Sequence, residues 1–525
     1  MKKSIDISEI YAIINVIQNV KAQRRAERKE TMFEKITPEE AGVSSAHVAE
    51  FISALNRRSM PMHSVLMMKG DKLFAEYYWA PFNKDTIHRM YSQTKSYTSV
   101  AIGLLAEEGK IDLDRPMSEY FPDRIDKELP EFLRLQTVRE MLTMTTVGEA
   151  ANWFAQTEEP DRTHMYFTLN RKNGRSAGTI WEYDSAGSQV LSTLVEKMSG
   201  MSTFEYLNEK IFRHLGTFRT ATMLKTRNGD SWGDSALVCT PRDMMSFARF
   251  VMNYGTWNGK RLMNEEYLRA ATARQVDNSE NLELVFRHGY GYQIWQVEEG
   301  FAFVGMGAQF TICLPERDMI FVCTADTQGL VNANDFIVGR FYDTIVRNMS
   351  KEPLPECESA TRVLKNATSD LRLYSVKGAE DSPMRKQLDG AVYECDVPNP
   401  MGWKTFSLSF SEDGKTGTLT YVNAQGEKKL PFGINHNVFG KFPQLGYSND
   451  FGGLRTTDGF MYKDAVSLAW LEDKKLMLFV QIIDQYFGLM SATFAFRGEH
   501  AAAQFAKVGE DFLGEYQGVL SAKLK

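Results

Sequence analysis

Cysteine is scarce in this chain: the five present, Cys239, Cys313, Cys323, Cys357 and Cys395, show neither a disulfide framework nor metal-site spacing. That excludes the disulfide-stapled secreted class and fits a reducing compartment. An excess of basic charge is missing too. With 61 Lys+Arg against 67 Asp+Glu the net charge is −6, which leaves no electrostatic footprint for nucleic acid. Lys21 to Arg28 is locally basic, but Glu27 and Glu30 lie in the same stretch, the pattern of a solvated helix face. No apolar run approaches the length of a membrane span. Near the start, Asp6 and Glu9 interrupt what would be the apolar core of a secretory signal, and no small-residue cleavage site follows. A cytoplasmic protein is the expectation. What is abundant is apolar residues, 43% of 525, enough for two or three domains with substantial cores.

Ser92-Gln93-Thr94-Lys95 is the only place where a serine stands three residues before a lysine. On a helix, positions i and i+3 share a face, so the amine can reach the hydroxyl. A serine hydroxyl attacks a carbonyl only if a neighbouring base takes its proton. A lysine serves as that base only where burial or nearby positive charge favours its neutral form. Tyr97, Val100, Ala101, Leu104 and Leu105 recur at helical spacing, which predicts a buried helix with Ser92 in its first turn. The serine N–H at that end is free to donate.

The run His88 to Leu105, followed by Glu108-Gly109-Lys110-Ile111-Asp112, resembles the nucleophile helix of the β-lactamase-like serine hydrolases. These comprise class C β-lactamases, D,D-peptidases, β-lactamase-type carboxylesterases and 6-aminohexanoate-dimer hydrolases. The resemblance extends in order through Thr37 to Ser44, Thr137 to Met144, Gly178 to Gly187, Thr240 to Met244 and Gly289 to Trp295, covering roughly residues 36 to 350. It implies an α+β fold, an antiparallel sheet flanked by helices with a helical lobe beside it. It also implies a second catalytic element of the form Tyr-x-Asn or Tyr-x-Ser. Tyr183-Asp184-Ser185 is favoured over Tyr206, Tyr421, Tyr447 and Tyr97, because it follows a loop and precedes the amphipathic run Val190, Leu191, Leu194, Val195 and Met198, which ends at Gly200. The resemblance gives Tyr183 the relay of protons between Ser92, Lys95 and the leaving group, and places Ser185 at the substrate.

The third element of many relatives, Lys-Thr-Gly or His-x-Gly on the strand walling the cleft, is where this sequence departs. Its literal Lys415-Thr416-Gly417 follows Ser411-Glu412-Asp413-Gly414 between alternating strands, which is hairpin-turn chemistry. Phe303 to Phe310, containing Gly305-Met306-Gly307-Ala308, resembles the Gly-x-Gly form of the wall. Gly307 or Ala308 is then expected to present a backbone N–H, with Ala308 joining Ser92 in an oxyanion hole and Gly305 and Gly307 lining the substrate. The missing cation weakens the case for β-lactam or D,D-peptide substrates.

Three segments are expected: an amphipathic helix in 1–35 carrying Ile7, Ile10, Ile13, Ile14 and Ile17; a hydrolase domain over 36–352, closed by the linker Lys351 to Pro355; and a β-rich accessory domain over 353–525, read as a small antiparallel barrel. Either the first helix or the last domain could serve a homo-oligomer. Tyr91, Trp153, Phe154, Trp181 and Tyr292 suggest an apolar or aromatic group on the substrate. His88 and His288 read as structural, and neither metal nor cofactor is called for. The expected activity is hydrolysis of a small-molecule ester or amide through an acyl-serine. The alternatives are a D-amino-acid peptidase or β-lactamase, and a binding protein on the same fold without turnover.

Overall fold

The structure, a computed structural model, describes residues 33–148, 161–172, 175–446, 448, 450–452, 459–509 and 516–525. The expected helix within 1–35, and Trp153, Phe154 and Tyr447 among the candidate residues, lie outside the described residues.

Strands Met62–Lys69 and Met319–Ala325 consist almost wholly of apolar residues because both faces of their sheet are covered. Side chains alternate between two cores: Met67, Phe321 and Cys323 point to one, Leu66, Met68, Ile320 and Val322 to the other. The sheet has seven strands in the order Glu34–Lys35, Lys72–Tyr78, Met62–Lys69, Met319–Ala325, Gln309–Leu314, Gly300–Gly305, Trp295–Val297. All neighbours pair antiparallel except the first two. The early hairpin thus joins the late strands. Helices Ser45–Arg57 and Ala333–Thr344 cover one face; Thr94–Glu107 and Pro241–Met252 cover the other and lead into a helical lobe that includes Ser185–Ser199.

After the Pro-containing stretch at 353–355 the chain does not leave this unit. Helix Glu358–Thr368 packs back on Ser45–Arg57, with Leu364 and Leu371 in the same core. The expected boundary at 352/353 therefore falls too early: an apolar stripe on that helix is satisfied only by the hydrolase-like unit.

From Val392 onward ten strands form one antiparallel sheet, and Gly426–Ile434 also pairs in parallel with Met461–Glu472 through Gly433↔Ser467 and Ile434↔Leu468, closing nine of them into a barrel. Aromatic side chains fill it, among them Trp403, Phe406, Tyr421, Phe494 and Phe505. Lys415-Thr416-Gly417 lies here, at the turn before strand Thr416–Asn423. Three residues of the first unit, Leu224, Ala236 and Val238, belong to the barrel's core, and the Lys225 N–H donates to the Asp450 carbonyl at 2.7 Å. Among the described residues no helix is long and apolar enough to cross a membrane.

Candidate active site

Ser92 sits in the 3₁₀ turn Tyr91–Gln93, which runs directly into helix Thr94–Glu107. The turn keeps Ser92 and Lys95 on one face, and the Lys95 Nζ donates to Ser92 Oγ at 3.1 Å. Lys95 is 1% exposed. Its amine also donates to the Asp234 carbonyl at 2.8 Å, lies 3.5 Å from Asp234 Oδ2, and sits 5.2 Å from the centre of the Tyr183 ring. The loop carrying Asp234 is stitched to the nucleophile helix by the Leu237 N–H donating to Thr94 Oγ1 and by Thr98 Oγ1 donating to the Gly233 carbonyl.

A cleft of about 650 Å³ opens over Ser92, bordered by Tyr183, Trp295, Gly305, Met306 and Gly307 on one side. The opposite side carries Leu282, Glu283, Leu330 and Asp335, and no lysine, arginine or histidine lines the cleft among the described residues. Glu283 accepts from Asn334 Nδ2 at 2.9 Å, and burial together with the nearby Asp335 charge raises its carboxyl above the usual range. Tyr183 stacks on Trp295 at 5.7 Å between ring centres. Asp184 caps helix Ser185–Ser199 by accepting from the Gly187 N–H at 2.8 Å, which fixes where Tyr183 leaves the loop. Burial pushes the Asp184 carboxyl up to about 6.

Gln93 ties the wall hairpin to the Ser92 turn, and Gln309 braces the hairpin from within. Gln93 Nε2 donates to the carbonyls of Phe303 and Gln309, both at 3.2 Å, and Gln309 Nε2 donates to those of Met306, Gly307 and Ala325. Gly305 must be glycine for this approach: a Cβ there would stand 2.1 Å from the Met90 carbonyl oxygen.

Of the residues singled out in the sequence, Ser92, Lys95, Tyr183, Gly305 and Gly307 are brought together. Four others are not at the cleft. Ala308 is fully buried behind the turn, its carbonyl accepting from the Cys323 thiol at 3.4 Å, because the register Gly305↔Gln309 turns it inward and leaves Met306 facing the cleft. Tyr91 is buried toward the barrel, where its hydroxyl accepts from the Phe487 N–H at 3.3 Å. Ser185 is buried as the first residue of its helix. Trp181 stands one layer back, packed edge-on against Trp295. Sequence reasoning missed Trp295 as a wall residue, both glutamines and Asp234. Gln93 lay within the motif itself, but nothing local marks Asp234, which is 139 residues from Lys95. His88 is buried away from the cleft lining: its Nε2 lies 3.2 Å from His63 Nδ1, and burial holds it down at about 4.

The sequence matches the family model described as Beta-lactamase over residues 48–336, a span that contains Ser92, Lys95, Tyr183, Asp234, Gly305 and Gly307. The 6-aminohexanoate-dimer hydrolase of Paenarthrobacter ureafaciens is 26% identical over 248 residues, 44% of this chain and 63% of that protein, so the chain spans less than two thirds of that relative's length. Penicillin-binding protein 4* of Bacillus subtilis (strain 168) is 24% identical over 149 residues, 27% of this chain and 31% of its own. Among solved structures, the octameric penicillin-binding protein homologue from Pyrococcus abyssi superposes with a TM-score of 0.45 at 14% identity, covering 90% of this chain and 99% of that one.

Proposed function

The chain belongs to the Beta-lactamase family, and on that premise we propose that it is a serine hydrolase opening an ester or amide bond of a small molecule through an acyl-enzyme on Ser92. The observation that carries this reading is the 3.1 Å contact of the buried Lys95 amine with the Ser92 hydroxyl at the floor of the cleft. Ser92 Oγ bonds to the substrate carbonyl carbon while its proton passes to Lys95 Nζ. The carbonyl oxygen takes up the electron pair and is held by the backbone N–H groups of Ser92 and Met306; Met306 replaces Ala308 in this role because it borders the cleft. The proton then goes, with help from the Tyr183 hydroxyl, to the departing alcohol or amine, and water releases the acyl group. The lining favours substrates without a carboxylate, since Glu283 and Asp335 border the cleft and, among the described residues, no lysine, arginine or histidine lines it. That ranks β-lactams and D-peptides below neutral esters and amides.

The test is labelling with a fluorophosphonate, followed by turnover of a panel of chromogenic esters, anilides and a cephalosporin. Labelling lost in Ser92→Ala, with ester or anilide turnover exceeding that of the cephalosporin, is the expected result. Undiminished labelling of Ser92→Ala would overturn the assignment of the nucleophile, and labelling without turnover of any class would favour a binding protein.

A further inference from the structure

Asp234 is a fully buried carboxylate directly behind Lys95. The Lys95 amine lies 3.5 Å from its Oδ2, and the Trp232 side chain and the Arg89 charge also act on it. An uncompensated buried carboxylate is costly, and a sequence that needed only the loop's shape would do better with a neutral residue. The loop's shape indeed rests on other atoms, namely the backbone of Gly233, Asp234 and Leu237 bonded to the nucleophile helix. The side chain is thus left to act on the charged groups around it, and the Lys95 amine touches it at 3.5 Å.

We propose that Asp234 is a positioning residue that serves Lys95 as an aspartate serves the histidine of a Ser-His-Asp triad, fixing the amine on Ser92 and countering the positive charge it gains during attack. The inference rests on the acyl-serine reading above. As the Ser92 Oγ–carbon bond forms and the hydroxyl proton moves to Lys95 Nζ, the neutral amine becomes an ammonium 3.5 Å from a carboxylate. When the leaving group departs it takes that proton, and the amine is neutral again. The aspartate itself exchanges no proton in the cycle.

Other charged groups share the surroundings. Asp184 and the Tyr183 ring approach Lys95 from the loop before Ser185–Ser199. Arg89, held by the Ser235 carbonyl at 2.9 Å and Ser235 Oγ at 3.1 Å, faces Asp234 from the strand His88–Arg89. Two cations thus flank one carboxylate. Burial acts to raise the Asp234 carboxyl while Lys95 and Arg89 oppose that rise.

The experiment compares wild type with Asp234→Asn in fluorophosphonate labelling rate and ester turnover from pH 5 to 10, with melting temperature as a fold control. Removing the counter-charge disfavours the ammonium both at rest and during attack. The expected result is a plateau kcat lowered about a hundredfold, an acid limb moved to lower pH, and an unchanged KM. A merely structural role would alter melting temperature without moving the limb. If Asp234→Asn does not fold, Asp234→Glu, which retains the charge, is expected to keep the wild-type limb, and a displaced limb would overturn the proposal. A folded Asp234→Asn with wild-type rate and limb would also overturn it. Ser92→Ala serves as the separating control: if it still labels, the acyl-serine reading fails, whereas loss of labelling there beside a silent Asp234→Asn defeats this inference alone.

Discussion

Two hairpins in this protein carry glycine at a point of close backbone approach, one walling the cleft at Gly305 to Gln309 and one in the barrel at Phe410 to Gly417. By letters alone the barrel hairpin has the stronger claim, because it spells Lys-Thr-Gly. Its lysine, however, sits at a barrel turn and does not line the cleft, whereas the wall hairpin is tied to the Ser92 turn through Gln93. A short motif acquires chemistry from the atoms that tertiary structure sets against it. The same contrast separates two buried carboxylates: Asp234 lies between the charged groups Lys95 and Arg89, whereas Asp464 in the barrel is met by the backbone N–H of Gly440.

The sharpest way to break the comparison is to exchange the two lysines' fates. Lys95→Ala is expected to lower kcat/KM for an ester by about 10³-fold or more, in the range of a lost general base, while Lys415→Ala stays at the wild-type rate; equal losses would show that the barrel motif takes part. Next come the glycines. In Gly305→Ala the added methyl meets the Met90 carbonyl and forces the wall from the nucleophile, with an expected loss of about a hundredfold in kcat. In Gly417→Ala the methyl meets the Ser409 carbonyl at 2.4 Å and the Phe432 ring, so the cost is expected in denaturant midpoint, roughly 1–3 kcal/mol, with turnover retained. A smaller effect is expected from Gln93→Leu. It removes both donors that hold the wall and should reduce kcat about tenfold with little change in melting temperature, as steady-state kinetics and calorimetry would register.

The smallest effect concerns Asp464, whose carboxyl burial raises to about 7. The folded protein favours its protonated form, so the unfolded chain gives up that proton at lower pH than the native state. Stability from this site is present below about pH 4 and drains away as pH rises to about 7. Asp464→Asn should therefore match wild type at pH 4 and exceed it at pH 8, by roughly 1–2 kcal/mol once water and neighbouring dipoles relax. Curves that stay parallel across that range would contradict the assignment.

What could be read in the chain beforehand was whatever is local. The apolar strands, the i, i+3 pair of Ser92 and Lys95, and the loop placing Tyr183 before an amphipathic helix all follow from periodicity and spacing. Which residue of the Met306-Gly307-Ala308 turn faces the cleft depends on hairpin register, and a one-residue shift exchanges inside for outside. Tyr91 looked like a cleft residue because it adjoins Ser92, yet the barrel claims its ring, a contact 396 residues apart. Asp234 and the helix Glu358–Thr368 were hidden for the same reason: their meaning lies in partners far along the chain.

The hydroxyl of Tyr91 has a consequence for how the molecule can be taken apart. The residue immediately ahead of the nucleophile is pinned to Phe487, and Leu224, Ala236 and Val238 lend their side chains to the barrel's interior. Cutting away the final 130 or so residues would strip those three side chains and leave the turn that presents Ser92 without its outer brace. The barrel is thus no detachable appendage, and a loosened barrel would be felt first as a wandering nucleophile, before the seven-stranded sheet itself gives way.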